Sequence, residues 1–229
     1  MTFLVRFSVI AFSLLIFIVT FSTGFSQATP AEVFVSWKAD NSFVPADYPG
    51  KALPSPLSSI TVKVGAFRGG GRVDLSGVTI RWFVDNYAVK QGVGMTEHTI
   101  VPSLRTNQRT REIKVQLLEL GSQVLSKSVS IPIVTPEVVI KGGETGGALS
   151  RGLNLLSADP YYFSVDRVGD IFYRWVVAGS PTKGDRTGVL ELTVAGDLSR
   201  GDRVDVGVTA TSFNNEFDAA IDKKTYTIR

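Results

Sequence analysis

An all-β protein built as two tandem β-sandwiches is what this sequence predicts, and three observations predict it. Apolar and polar residues alternate with period two in short runs, the signature of strands buried on one face. Clusters of glycine, proline, asparagine and aspartate separate those runs, and no stretch after residue 28 holds a helical period over three turns. One motif then occurs twice: TIRWFV at residues 79–84 and FYRWVV at residues 172–177, with Trp82 and Trp175 ninety-three residues apart.

At 229 residues the chain has room for two domains of ordinary size. Residues 1–28 form a targeting segment. MTFLVR supplies Arg6, FSVIAFSLLIFIVTF supplies an apolar stretch, and Ser26 and Ala28 occupy the small-residue positions of a cleavage site. The apolar run is nearly long enough to span a bilayer, so an uncleaved anchor competes with a cleaved signal peptide; the small-residue site favours cleavage. On either reading the remainder is exported, extracellular or at the cell surface, and it meets membrane only through residues 1–28 if these stay uncleaved.

The elements follow in order. EVFVSW (residues 32–37) reads as the first strand. VPADYPGKALPSP (residues 44–56) carries Pro45, Pro49, Pro54 and Pro56, too many for a central strand or helix, and is expected to be an ordered surface crossing. SSITVKVGAF sets Ile60, Val62 and Val64 against Thr61 and Lys63. RGGGRVDLSG is turn material. In TIRWFV, Ile80, Trp82 and Val84 share one face, and Asp85 and Asn86 suit a tight turn. Short strands are expected near residues 87–89 and 97–101. REIKVQLLEL alternates Ile113, Val115 and Leu117 against Glu112, Lys114 and Gln116, and Pro132 in SVSIPIV marks an edge strand.

The second half opens with TPEVVI, a hinge flowing into a strand, then the glycine-rich loop KGGETGGALSRG. YYFSV (residues 161–165) is the next expected strand. The second tryptophan strand places Ile171, Tyr173, Trp175 and Val177 on one face. VLELTV, DRVDVGVTAT and KKTYTIR close the chain. The boundaries fall at residues 29–135 for the first sandwich and 136–229 for the second.

Aligning Trp82 with Trp175 sets Val115 against Val206, and both halves run tryptophan strand, turn, short strand, crossing, strongly alternating strand, closing strand. This resembles the immunoglobulin-like fold, in which one strand's tryptophan packs centrally between two sheets. Trp82 and Trp175 are then the core keystones, with Arg81 and Arg174 on the solvent side. A closer resemblance rests on WKADNSFVPADYPGKALPSP, TIRWFVDN, LNLLSADPYYFSV and YRWVV. Together they resemble exported two-domain proteins of candidate-phylum (Patescibacteria-type) bacteria, over essentially the whole mature chain. That resemblance implies envelope localisation and carries no catalytic or binding residues.

Chemistry is excluded more readily than assigned. With no cysteine there are no disulfides, thiolate metal sites, cysteine nucleophiles or lipidated cysteine anchors. A net charge of +3 supplies no basic field for nucleic acid. His98 is the single histidine, so neither a Ser-His-Asp triad nor a histidine metal site is in view. Acids such as Glu137, Glu144, Asp202, Asp205, Asp218 and Asp222 are too sparse for a calcium loop. The glycine-rich stretches lack the Lys-Ser/Thr ending of a phosphate loop, and RGD at residues 200–202 reads as a turn. No cofactor is implied.

Two surface candidates remain. Arg105, Arg109 and Arg111 in LRTNQRTR offer a cationic loop to anionic wall polymers, and Tyr161 and Tyr162 offer rings for sugar stacking, although alternation requires at least one residue of YYF to be core. The reading is therefore a non-catalytic, exported structural or protein–protein interaction module of the cell envelope, its partner an envelope protein or another copy of itself. The alternative is a carbohydrate- or cell-wall-polymer-binding module, its partner wall polysaccharide.

Overall fold

The computed structural model describes residues 29–102, 109–118, 120, 124–144, 147–182 and 184–229. The targeting segment lies outside them. The first half holds β1 (Glu32–Ala39), β2 (Ile60–Arg68), β3 (Gly71–Arg72), β4 (Thr79–Val84), β5 (Tyr87–Val93), β6 (Glu97–Ile100), β7 (Thr110–Leu118) and β8 (Leu125–Pro132). The second holds β9 (Glu137–Gly142), β10 (Ala148–Leu149), β11 (Gly152–Tyr161), a 3-10 turn (Val168–Asp170), β12 (Ile171–Val177), β13 (Ser180–Pro181), β14 (Val189–Val194), β15 (Arg203–Ser212) and β16 (Asn215–Ile228).

The same two-sheet plan appears in each half. In the first, β2 lies between β1 and β6, facing a sheet ordered β5-β4-β7-β8. In the second, β11 lies between β9 and β14, facing β10-β16-β15-β12-β13. Read as strands A to G, both halves put A, B and E in one sheet and C′, C, F and G in the other, which is the immunoglobulin-like sandwich. The chain is thus all-β, a tandem of such sandwiches. The second half adds β10, which crosses to the far sheet and runs parallel to β16.

Local chemistry explains the repetition. The hairpin after each tryptophan strand has two residues in left-handed backbone, Asp85 (φ 50) and Asn86 (φ 69) in one half, Ala178 (φ 47) and Gly179 (φ 81) in the other. Positive φ at both central positions lets a two-residue loop match strand twist. The turn amide is then tied to the next strand in the same way: Asp85 N donates to Glu112 O at 2.8 Å, and Ala178 N to Asp205 O at 2.8 Å.

Each sandwich is filled by its own cluster. Ile60, Ile80, Trp82, Ile113, Leu117 and Ile131 are fully buried in the first. Leu149, Leu156, Phe163, Tyr173, Trp175 and Tyr226 are fully buried in the second. Trp82 lies opposite Val115 and Trp175 opposite Val208, thirty-three residues downstream in each case. Register therefore makes Val208, two residues beyond Val206, the counterpart of Val115.

Two strands depart from the sequence reading. The strand expected at residues 161–165 ends at Tyr161, because β11 occupies residues 152–161 and Tyr162 turns the chain with φ 63. The closing strand begins at Asn215, eight residues before the KKTYTIR run. β8, with Pro132 at its end, stands at the edge of its sheet.

Candidate functional site

The most elaborated feature outside the cores is the place where the halves meet. The proline-rich crossing of the first half reaches the corner at which β11 ends. Tyr162, in left-handed backbone, turns its amide out of the sheet. That amide donates to Phe43 O at 2.6 Å, and Phe43 N donates to Phe163 O at 2.9 Å. The pair is a one-residue antiparallel bridge between segments 120 residues apart. Phe163 is wholly buried in the second core, and Phe43 packs against the same core from the first half.

Side chains fasten the bridge on both sides. Tyr48 and Tyr162 share a hydroxyl–hydroxyl bond of 2.6 Å, and the Tyr48 ring meets Tyr161 and Tyr162 edge-on at 5.8 and 6.0 Å. The Tyr162 hydroxyl is pushed up to about 12, first by burial and then by the Tyr48 bond, so it stays neutral. Further along the crossing, Ser55 and Ser58 are fully buried and bonded to each other. The Ser55 hydroxyl reaches Ser164 of the second half at 2.6 Å. Ser164 N in turn donates to Asp218 Oδ2 at 2.7 Å. Pro54 O accepts Val134 N at 3.0 Å, which holds the crossing against the segment after β8.

Asp218 therefore stands one hydrogen bond behind the joint. It is 1% exposed, and its Oδ1 has no partner among the described residues. Burial raises its carboxyl to about 6, against the downward pull of the Ser164 amide. Donors for this joint come from hydroxyls and backbone, and His98 lies away from it in the first sandwich, its ring 5.9 Å from that of Trp82. Among the described residues no cluster of three or more metal-ligating side chains occurs.

The surface candidates separate under this geometry. Tyr161 and Tyr162 belong to the joint, half-buried against Tyr48. Arg109 is exposed, and Arg105 lies outside the described residues. Arg111 is a correction: it is 9% exposed, and its guanidinium donates to Asp85 of the β4–β5 turn. Strand alternation turns Arg111 inward beside Ile113, where the turn carboxylate neutralises it, while Asp85 Oδ1 also accepts Glu112 N at 3.0 Å. Arg111→Met is accordingly expected to lower stability by about 1–3 kcal/mol, the cost of leaving that carboxylate without its cation. A denaturant melt unchanged within about 0.3 kcal/mol would return Arg111 to the solvated surface.

The RGD tripeptide is a turn locked to the last strand. Gly201 has φ 96, Gly201 N donates to Ile228 O at 2.9 Å, and the Asp202 carboxylate caps Ser199 N at 2.7 Å. Sequence reasoning missed Phe43, Tyr48, Ser55, Ser58 and Ser164 as a group, since their partners are more than a hundred residues away.

No family model matches the chain, and no curated protein matches it. Among solved structures it is similar to the fibronectin(III)-like modules of Clostridium thermocellum CbhA, at 10% identity, covering 82% of this chain and 92% of that one with a TM-score of 0.28. It is similar to three N-terminal domains of the bacteriophage RB49 outer capsid protein Hoc, at 14% identity, 87% and 70% coverage and a TM-score of 0.35. A bacterial ice-binding adhesin matches at 10% identity, with 88% and 66% coverage and a TM-score of 0.34.

Proposed function

We propose that the chain is a non-catalytic structural or protein–protein interaction module of the cell envelope, exported behind residues 1–28. The observation that carries this reading is the joint. A flexible linker between two sandwiches would need none of its parts, yet here a backbone bridge, a tyrosine pair and a serine chain fix one half against the other. Fixing relative orientation matters to a protein that holds a spacing or presents a composite surface, and it contributes nothing to hydrolysis or transfer chemistry. Tyr162 commits its hydroxyl to Tyr48, and the rings of Tyr161 and Tyr162 are half-buried against Tyr48, which weighs against wall-polymer binding.

A pull-down tests the reading. The chain is immobilised and exposed in parallel to solubilised envelope protein and to purified wall polysaccharide from its own cells. Retention of a defined protein is the expected result. Retention of polysaccharide alone, abolished by Tyr161→Ala in a folded chain, would overturn it in favour of the carbohydrate-binding alternative. Retention of neither reduces the module to a passive spacer.

A further inference from the structure

Two outer faces of the second sandwich carry exposed apolar side chains, and they lie on opposite sides of it. On the sheet centred on β11, Leu153 and Leu155 point outward at 64% and 59% exposure. Val189 of β14 and Val139 of β9 extend that row. On the sheet centred on β15, Ile221 and Phe217 of β16 stand 68% and 73% exposed. Outward positions of a solvated sandwich are ordinarily polar, and contiguous exposed apolar rows mark contact surfaces.

The faces differ in relief and in charge. On the β15 side, Gly207 lacks a side chain, and a groove of about 470 Å³ lies above it, walled by Val176, Ile221 and Lys223. On the β11 side, the two leucines project. Glu191 sits directly beside Leu155 across β11 and β14. Lys223 sits directly beside Gly207, and Arg174 beside Thr209 one step along. Neither Glu191, Arg174 nor Lys223 makes an ion pair among the described residues. Lys141, the cation on the leucine side, is already held by Asp159 at 2.5 Å; Asp205, the carboxylate lining the groove, accepts the Thr225 hydroxyl at 2.6 Å.

We infer that the β11 face of one copy docks on the β15 face of a second copy, Leu155 seating over Gly207 and Glu191 meeting Lys223 and Arg174. A ridge with an unpaired acid thus meets a groove with unpaired bases. Because the two faces are different patches on opposite sides of the same sandwich, the contact is heterologous. Repetition adds copies head to tail and does not close into a dimer. This rests on the interaction-module reading and names its partner as the chain itself.

Sedimentation velocity over a concentration series tests it, using the full chain. Wild type is expected to form species beyond a dimer as concentration rises, and to shift back toward monomer when salt screens the charges. Leu155→Lys alone and Ile221→Lys alone should each raise the concentration for association at least tenfold. Both positions are solvent-exposed, and unchanged melting confirms that the variants fold. Mixed one to one, the two variants should form capped dimers and nothing larger, since each retains one competent face. Association that survives either substitution, whether through residues 1–28 or another surface, overturns the inference, as does a wild type that stays monomeric. A monomer that still captures an envelope protein sinks only this inference; a monomer that captures neither protein nor polymer removes the interaction role as well.

Discussion

Trp175→Ala is expected to lower the melting temperature of the second sandwich by roughly 15–30 °C, and Trp82→Ala to do the same to the first. Removing a buried tryptophan costs about 3–5 kcal/mol, and each kcal/mol moves a hundred-residue domain by about 4–8 °C. Against a typical total of about 5–15 kcal/mol, either change brings its sandwich close to unfolding. Both indoles are essentially inaccessible, at 0% and 1%, and each belongs to the core cluster of its own sandwich. Each substitution should therefore displace one of two calorimetric transitions and leave the other nearly in place. If either substitution lowered both equally, the joint would couple the two sandwiches into one cooperative unit.

The two tryptophans should part company on change to phenylalanine. Trp82 Nε1 donates to Met95 O at 2.9 Å, whereas Trp175 Nε1 has no partner among the described residues. Trp82→Phe strands a carbonyl and loses a bond worth about 1 kcal/mol; Trp175→Phe relieves an unsatisfied donor. The first is expected to be the costlier by about that amount, read from the same melts.

Why one strand was legible and its neighbour was not follows from what faces each side. β2, β7 and β15 present unbroken alternation because one face meets the core and the other meets water. β11 breaks that code. Its inward row is Leu156, Ala158 and Pro160, while Leu153 and Leu155 face out, so the apolar pattern changes sides midway. Pro160 near its end is also atypical of a strand. β16 was read short because its inward positions include Asp218 and Asp222. Those acids are tolerated there because each accepts a backbone amide, Ser164 N and Ile140 N respectively. The joint was invisible for a third reason: its donors and acceptors are ordinary serines, tyrosines and backbone groups, brought together only once both sandwiches have folded.

Acidification from pH 7.5 to 5 is expected to stabilise the second sandwich by about 1 kcal/mol, contrary to the usual response of a carboxylate-bearing protein. Asp218 is the cause. Burial lifts its carboxyl to about 6 in the folded chain from an ordinary 3.8, so the folded state holds a proton more tightly than the unfolded one. Its contribution is fully present below about pH 4 and is lost as pH rises through 6. His98 works the other way in the first sandwich. Burial, aided by Lys90, lowers its pKa, so the folded state favours the neutral ring and stability there falls as pH drops through the same window. The two transitions should consequently move in opposite directions between pH 7.5 and 5. Asp218→Asn keeps an acceptor for Ser164 N and removes the charge, so it should raise the second transition at pH 7.5 and abolish its pH response. A second transition that weakens on acidification would mean that the carboxylate is ionised and solvated across this range; an asparagine variant that still responds would assign the response to another group. With Ser164 bridging Asp218 to Ser55, the same titration should register in the joint: hydrogen exchange at the Ser164 amide is expected to slow or quicken with the proton in wild type, and to be pH-independent beyond the chemical exchange rate in Asp218→Asn.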